Sequence, residues 1–256
     1  MNDCFISIKN LKKSFGDNSV LSGLDFEVER GKITVILGKS GEGKSVLIKN
    51  IIGLMKPDSG EIVFEGVDVV KCSGKKLLEL RKKVGYLFQE AALFDFMTVE
   101  DNIAFPMREM LEIKNEKQIK EKVEELLELV DLSDINQKYP SELSGGMKKR
   151  VGLARALSMD PEIILFDEPT TGLDPITAEI IDKLILEANS RYDVTCLVIS
   201  HDIPAALRIA DKIAFINNGL IEFQGSPEEA FDSGHETLEI FIRNTFGDRE
   251  KMRESR

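Results

Sequence analysis

Phe5, Ile6 and Ile8 stand among polar neighbours and predict a β-rich opening, with Gly16-Asp17-Asn18-Ser19 reading as a turn between strands. From Leu24 to Val28, apolar and charged residues alternate, the pattern of a half-buried antiparallel strand. Ile33-Thr34-Val35-Ile36-Leu37 differs: it is β-branched and free of charge, as a strand buried on both faces would be. A glycine-rich turn follows it, and Ser45 to Leu54 then predicts a helix. Strand, glycine loop and helix in that order open a parallel α/β unit.

Similar apolar runs recur at Val84–Leu87, Ile163–Phe166, Cys196–Ile199 and Ile213–Ile216. Between the first two of these lies a helical block, clearest from about Asn115 to Val130. There Ile119, Val123, Leu126, Leu127 and Val130 form one stripe, with Glu124, Glu125 and Glu128 outside it. The stripe is too short for sustained coiled-coil heptads, so a surface helix of a compact subdomain is expected.

Composition narrows the classes. A chain of 256 residues, 42% hydrophobic and 31% charged, can bury a large core as one domain or two small ones. A net charge of −11 argues against non-specific wrapping of nucleic acid or docking on anionic lipid. Cys4, Cys72 and Cys196 are odd in number, far apart and outside any metal-ligand spacing, so reduced thiols in the cytoplasm are expected. No apolar run approaches the ~18–20 residues of a membrane span. The start, Met1-Asn2-Asp3-Cys4-Phe5, lacks the layout of a secretory signal, so a membrane role is expected to come through partners. His235 fits no motif and is expected at the surface, and Asp248–Arg256 is expected to fray or to be taken up by a partner.

Gly38-Lys39-Ser40-Gly41-Glu42-Gly43-Lys44-Ser45 fits the P-loop pattern and follows the buried strand, where the chemistry needs it. Its glycines let successive N–H groups point at phosphate oxygens, and the following helix adds its positive end. Lys44 can reach the β- and γ-phosphates of ATP, and the Ser45 hydroxyl can ligate Mg²⁺. Ile163-Ile164-Leu165-Phe166-Asp167-Glu168 is an apolar strand ending in two acids. On one reading Asp167 helps to hold Mg²⁺ and Glu168 is general base on the attacking water; on the other, Glu168 is a helix-start acid before Pro169.

Leu143-Ser144-Gly145-Gly146-Met147 is a further glycine-bearing motif, preceding a helix expected to run through Arg150 to Met159. With the P-loop, Asp167-Glu168 and Ser200-His201-Asp202 in this order, the chain resembles the ABC ATPase superfamily over nearly its whole length. The resemblance implies an α/β, P-loop NTPase fold with a parallel-sheet core, an N-terminal antiparallel β subdomain and an α-helical subdomain at about residues 91–155. The ATPase domain would span residues 1–235, with 236–256 as a C-terminal extension. It implies that Phe15 stacks on adenine, that Val46 follows the P-loop as a further nucleotide contact, and that Gln89 touches Mg²⁺ and water and reports to a membrane partner. His201 would contact the γ-phosphate. Ser144, Gly145, Gly146 and Asp174 would serve the interface of a homodimer that sandwiches two ATP molecules.

Narrower stretches, Gly43 through Gly60, Phe88 through Phe94 on to Pro106, and Asp174-Pro175-Ile176-Thr177, resemble the ATPases of MCE-type, Mla-like phospholipid transporters. That branch implies a permease, an MCE-type lipid-binding protein and a small STAS-type subunit as partners, with the chain peripheral on the inner face of the inner membrane. Other cargoes remain open, because an ATPase of this kind does not touch cargo. A soluble ABC ATPase acting on DNA or ribosomes is disfavoured by the single cassette and the acidic charge. Leu93, Phe94, Phe96, Met97, Ile103, Phe105 and Met107 follow Gln89 and are expected mostly in the core, with one or two lining a groove for a permease helix.

Overall fold

The structure, a computed structural model, describes residues 4–246. In chain order it begins with β1 (Cys4–Phe15), β2 (Asn18–Glu29), β3 (Ile33–Leu37), α1 (Lys44–Ile51), β4 (Ser59–Phe64), β5 (Val67–Asp68) and α2 (Gly74–Lys82). Next come β6 (Val84–Leu87), α3 (Val99–Glu109), α4 (Glu116–Leu129), α5 (Gly145–Leu157), β7 (Ile163–Asp167) and α6 (Pro175–Tyr192). The last elements are β8 (Thr195–Ser200), α7 (Ile203–Ile209), β9 (Lys212–Asn217), β10 (Leu220–Gly225), α8 (Pro227–Phe231) and α9 (Glu236–Phe246). The chain forms two compact units, one holding residues up to Leu78 and from Thr195 onward, the other Glu79–Val194.

In the first unit an antiparallel sheet runs β2-β1-β4-β5. The alternation expected over Leu24–Val28 is the middle of the longer β2, with Leu24, Phe26 and Val28 buried and Asp25 and Glu27 exposed. β3 pairs in parallel with both β8 and β9, and β10 closes that side antiparallel to β9. Every residue of β3 and of β8 is buried, which explains why neither carries a charge. The helix expected over Ser45–Leu54 starts one residue earlier and stops at Ile51, where Gly53 takes a φ of +63° and ends the turn.

In the second unit β6 and β7 pair in parallel. α4 begins after Asn115, whose side chain accepts from the N–H groups of Lys117 and Gln118. Its stripe of Ile119, Val123, Leu126, Leu127 and Val130 is buried. The far end of α4 is met by Arg150, which donates to the carbonyls of Val130 (2.9 Å) and Asp131 (3.0 Å), a cation placed where the helix dipole is negative.

Several expectations are corrected. Gly145 and Gly146 do not precede the helix but form its first turn, because Ser144 is the cap, and α5 ends at Leu157 rather than Met159. His235 is half-buried, with Nε2 2.9 Å from a Glu222 oxygen and its ring edge-on to Phe215. Of the seven apolar residues after Gln89 only Ile103 and Met107 are buried; Phe96 is 76% exposed. The reason lies in how α3 holds the loop before it: its buried Asn102 is spent on main chain, accepting from Phe94 N and donating to the carbonyls of Phe94, Met97 and Thr98. That polar knot fixes a surface loop, so its apolar side chains are not drawn inward. Of the C-terminal extension, everything from residue 247, including Asp248–Arg256, lies outside the described residues.

Candidate functional site

In the first unit the P-loop leaves β3 at Leu37 and enters α1 at Lys44. Gly38 follows the strand so closely beside β9 that a Cβ there would stand 2.6 Å from the carbonyl oxygen of Ile216. Gly43 caps α1 at a φ of +91°, a left-handed conformation open to glycine. Lys44 is 5% exposed, and its ammonium curls back to donate to the carbonyls of Gly38 (2.7 Å) and Lys39 (2.9 Å). Its positive charge is therefore held over the loop by the main chain. Lys39, Ser40 and Gly41 are exposed, Ser45 and Val46 are half-buried, and the Glu42 carboxylate accepts from Asn218 N at 2.6 Å. Glu42 thus anchors the loop with its side chain, while its N–H donates to the Lys39 carbonyl at 3.4 Å.

Phe15 ends β1 and is 49% exposed, outside the core. His201 is exposed directly after β8. The turn that presents it is set by Ser200 Oγ accepting from Asp202 N (2.9 Å) and by Asp202 capping α7 through Ala205 N (3.0 Å).

The second unit holds the acids. Asp167 is the last residue of β7 and 8% exposed, and it accepts from the Tyr86 hydroxyl of β6 at 3.1 Å. Burial, followed by the nearby Asp167 charge, pushes the Tyr86 hydroxyl well above the usual tyrosine range, so it stays protonated and donating. Glu168 takes a φ of +51°. No helix begins at Pro169; α6 starts only at Pro175, so the helix-start reading of Glu168 is overturned. Instead Glu168 opens a turn: its carbonyl accepts from Thr171 N (3.2 Å), and its Oε2 accepts from Thr171 Oγ1 (3.0 Å).

Lys149 completes this cluster. It is 5% exposed and donates to the carbonyls of Glu168 (3.2 Å) and Thr171 (3.3 Å). Burial pushes its ammonium below the usual lysine range, against the opposing pull of Glu90, Glu168 and Asp167. Sequence reasoning passed over Tyr86, Lys149 and Thr171. For Lys149 a signal was present: it shares the helical stripe of Gly146, Leu153 and Leu157, so a lysine stood on an apolar face.

Ser144 caps α5 by accepting from Met147 N at 3.3 Å and is exposed with Gly145 beside it. Asp174 caps α6, accepting from Ile176 N, Thr177 N and the Thr177 hydroxyl, and the last of these most strongly holds its carboxyl below the usual range. The two helix starts touch: a Cβ on Gly146 would lie 2.4 Å from Thr177 Cγ2. Gln89 is exposed two residues after β6. Near it a groove of about 380 Å³ is lined by Phe88, Phe94, Phe105, Pro106, Arg155 and Met159 among others. Arg155 braces its wall through the carbonyls of Ala91 (2.6 Å) and Ala92 (2.8 Å). Two of the seven patch residues, Phe94 and Phe105, line it; Phe88, Arg155 and Met159 were not foreseen.

Among the described residues no helix is long and apolar enough to cross a membrane. Residues 21–171 match the family described as ABC transporter. The chain is 40% identical over 237 residues to a probable ribonucleotide transport ATP-binding protein, Mkl, of Mycobacterium leprae, covering 93% of this chain and 68% of that one. It is 42% identical over 233 residues to the intermembrane phospholipid transport system ATP-binding protein MlaF of Haemophilus influenzae, covering 91% and 88%. A methionine import ATP-binding protein, MetN, of Carboxydothermus hydrogenoformans is 42% identical over 231 residues, covering 88% and 67%. Among solved structures, the dimeric ATP-binding cassette MJ0796 in a post-hydrolysis state with ADP and Pi superposes with a TM-score of 0.79 at 29% identity, covering 87% and 98%.

Proposed function

The chain belongs to the ABC transporter family and hydrolyses ATP, and from that premise we propose that it powers a phospholipid transporter as one of two identical ATPase subunits. The observation that carries the lipid reading is the likeness to MlaF, which takes in 88% of that ATPase. The comparable identity to a methionine importer keeps other cargoes in play as outcomes of the test. A permease, an MCE-type lipid-binding protein and a STAS-type subunit are the partners this reading names, and the groove at Phe94 and Phe105 is the surface it offers the permease.

Each residue then has a task. The N–H groups of Gly38 to Ser45, with Lys39, Ser40, Gly41, Glu42 and Gly43 between, bind phosphate oxygens, and Lys44 turns its ammonium from the loop carbonyls to the β- and γ-phosphates. Val46 lies in the first turn behind them, Phe15 stacks on adenine, and His201 donates to the γ-phosphate. Glu168 takes the proton of the attacking water as its oxygen bonds to the γ-phosphorus and the bond to the bridging oxygen breaks, giving ADP and phosphate. Ser45, Gln89 and Asp167 would hold Mg²⁺. All three offer oxygen donors, which suit a hard cation that takes few protein ligands and completes its shell with phosphate and water. The metal supplies charge to the phosphate oxygens. Ser144, Gly145, Gly146 and Asp174 serve the nucleotide of the second copy, an arrangement supported by the dimeric likeness.

Two measurements test this. Glu168→Gln should bind Mg-ATP, turn it over at a rate lower by at least ~100-fold, and accumulate as a dimer in light scattering; a monomer with native turnover would refute the base assignment. For cargo, the native complex is purified and its permease and copurified lipid are identified. An amino-acid permease with no bound lipid would overturn the phospholipid reading and leave the ATPase assignment standing.

A further inference from the structure

At a φ of +51° the backbone of Glu168 occupies a region that L side chains rarely adopt. Such a conformation persists where surrounding contacts over-determine it, and these gather at functional sites. Two of the contacts come from the turn itself, through the N–H and hydroxyl of Thr171. The third comes from another element. Lys149, in the second turn of α5, places one ammonium between the carbonyls of Glu168 and Thr171, at 3.2 and 3.3 Å. It therefore grips both ends of the turn whose first residue is the carboxylate.

We propose that Lys149 is a positioning residue for Glu168: it clamps the 168–171 turn to the helix that begins at Ser144, and so fixes the direction of the carboxylate. The inference rests on the reading of Glu168 as general base.

The chemistry favours a lysine here. An ammonium carries three donors and no acceptor, so it bridges two divergent carbonyls without presenting a lone pair to them. At 5% exposure, little water reaches the site to replace it, and both carbonyls would lose a partner with it. The acids around it, Glu90, Glu168 and Asp167, offset the burial that disfavours its charge. Lys149 acts on the hydrolytic turn and makes none of the contacts proposed for nucleotide, so its removal strikes turnover before binding. There is also a consequence for the dimer. The start of α5 serves the nucleotide of the second copy while Glu168 serves that of its own. A shift of α5 on meeting the second copy's nucleotide is passed to the 168–171 turn through two hydrogen bonds, one of them on the Glu168 carbonyl.

The test compares full-length Lys149→Met, Lys149→Gln and Lys149→Arg with Glu168→Gln, each shown folded by thermal melting. Lys149→Met is expected to lower kcat about tenfold or more while KM for ATP stays within about twofold. Lys149→Arg, which restores a cation and donors, is expected to recover part of that loss, and Lys149→Gln to fall between. In the Glu168→Gln background Lys149→Met should remove nothing further, because the lysine acts through the carboxylate. A folded Lys149→Met protein with native kcat, a rise in KM without a fall in kcat, or a loss that adds in full to that of Glu168→Gln would each overturn the proposal. If Lys149→Met does not fold, Lys149→Gln decides by the same criteria. Native turnover by Glu168→Gln would sink the general-base reading itself, whereas native turnover by Lys149→Met beside an inactive Glu168→Gln sinks the lysine alone.

Discussion

Gly146→Ala adds a single methyl group where the structure leaves no room for one. The new carbon would stand 2.4 Å from Thr177 Cγ2, more than ~1 Å inside an ordinary carbon–carbon contact. Thr177 cannot easily turn away. It is β-branched, and its hydroxyl donates to Asp174 at 2.6 Å while its N–H donates to the same carboxylate at 3.1 Å. Overpacking of this kind costs about 1–3 kcal/mol. Replacing a helical glycine by alanine returns roughly 0.5–1 kcal/mol. A net loss centred on about 1 kcal/mol and reaching about 2.5 should lower the melting temperature by roughly 2–10 °C in a chain of this size.

Thr177→Ser isolates the cause, because it deletes the offending methyl and keeps the hydroxyl that binds Asp174. Alone it should cost about 0.5–1 kcal/mol for the lost packing. In the double variant the alanine methyl takes the vacated space, so stability should return to within about 0.5 kcal/mol of native, a coupling of about 1–3 kcal/mol. Urea titration with a constant m value is the assay. Two losses that simply add would refute the reasoning. Turnover of the repaired double variant then answers a separate question: if it is stable and inactive, Gly146 is required by the nucleotide and not only by Thr177.

Three further outcomes are expected. A Ser144→Arg chain and a Lys44→Ala chain should each be inactive, yet their mixture should recover at most about half of native turnover if the sites act independently; a Ser144→Arg chain active by itself would refute the shared site. Phe105→Glu, in the groove wall, should impair permease-dependent transport more than the ATPase activity of the separate subunit, and unaltered transport by the folded variant would exclude the groove as the coupling surface. The Asp174 carboxyl is held low chiefly by the Thr177 hydroxyl, so its contribution to stability is present above the unfolded carboxylate pKa and is lost as pH falls through the lower folded value. Melting of Thr177→Val should therefore fall short of native at pH 7 and converge on it below the carboxylate range; an unchanged gap at low pH would reject the linkage.

Where a residue's environment is set by its immediate neighbours in sequence, the chain was legible. The charge-free run Ile33–Leu37 became a strand buried throughout, and the stripe of α4 was placed to within a residue of its cap. The P-loop could be read because its glycines answer to local backbone geometry. Long-range polar contacts were not legible. Nothing in Val84–Leu87 says that Tyr86 donates to a carboxylate eighty-one residues away. The misplacement of Gly145 and Gly146 is a local miss of another kind: a pair of glycines suggests a loop until the cap at Ser144, three residues from Met147 N, is seen to start the helix before them.

Many of the residues assigned to nucleotide here also do structural work, and this governs how mutants must be read. Ser144 and Asp174 cap helices, Glu42 ties the P-loop to Asn218, and Lys44 closes the loop on its own carbonyls. Loss of a cap or of an interior hydrogen bond lowers stability by itself, so an inactive variant at any of these positions is compatible with a purely structural role. The discriminating variants leave the local bond in place and remove only the chemistry. Glu168→Gln is of this kind, since the amide oxygen can still accept from the Thr171 hydroxyl while the base is gone. Ser144→Thr is another: it keeps a hydroxyl cap for Met147 N and adds a methyl at the exposed start of α5. If that face meets the second copy's nucleotide, Ser144→Thr should melt as the native chain does and yet raise KM for ATP. An unchanged KM would mean that the space in front of Ser144 is not where the nucleotide sits.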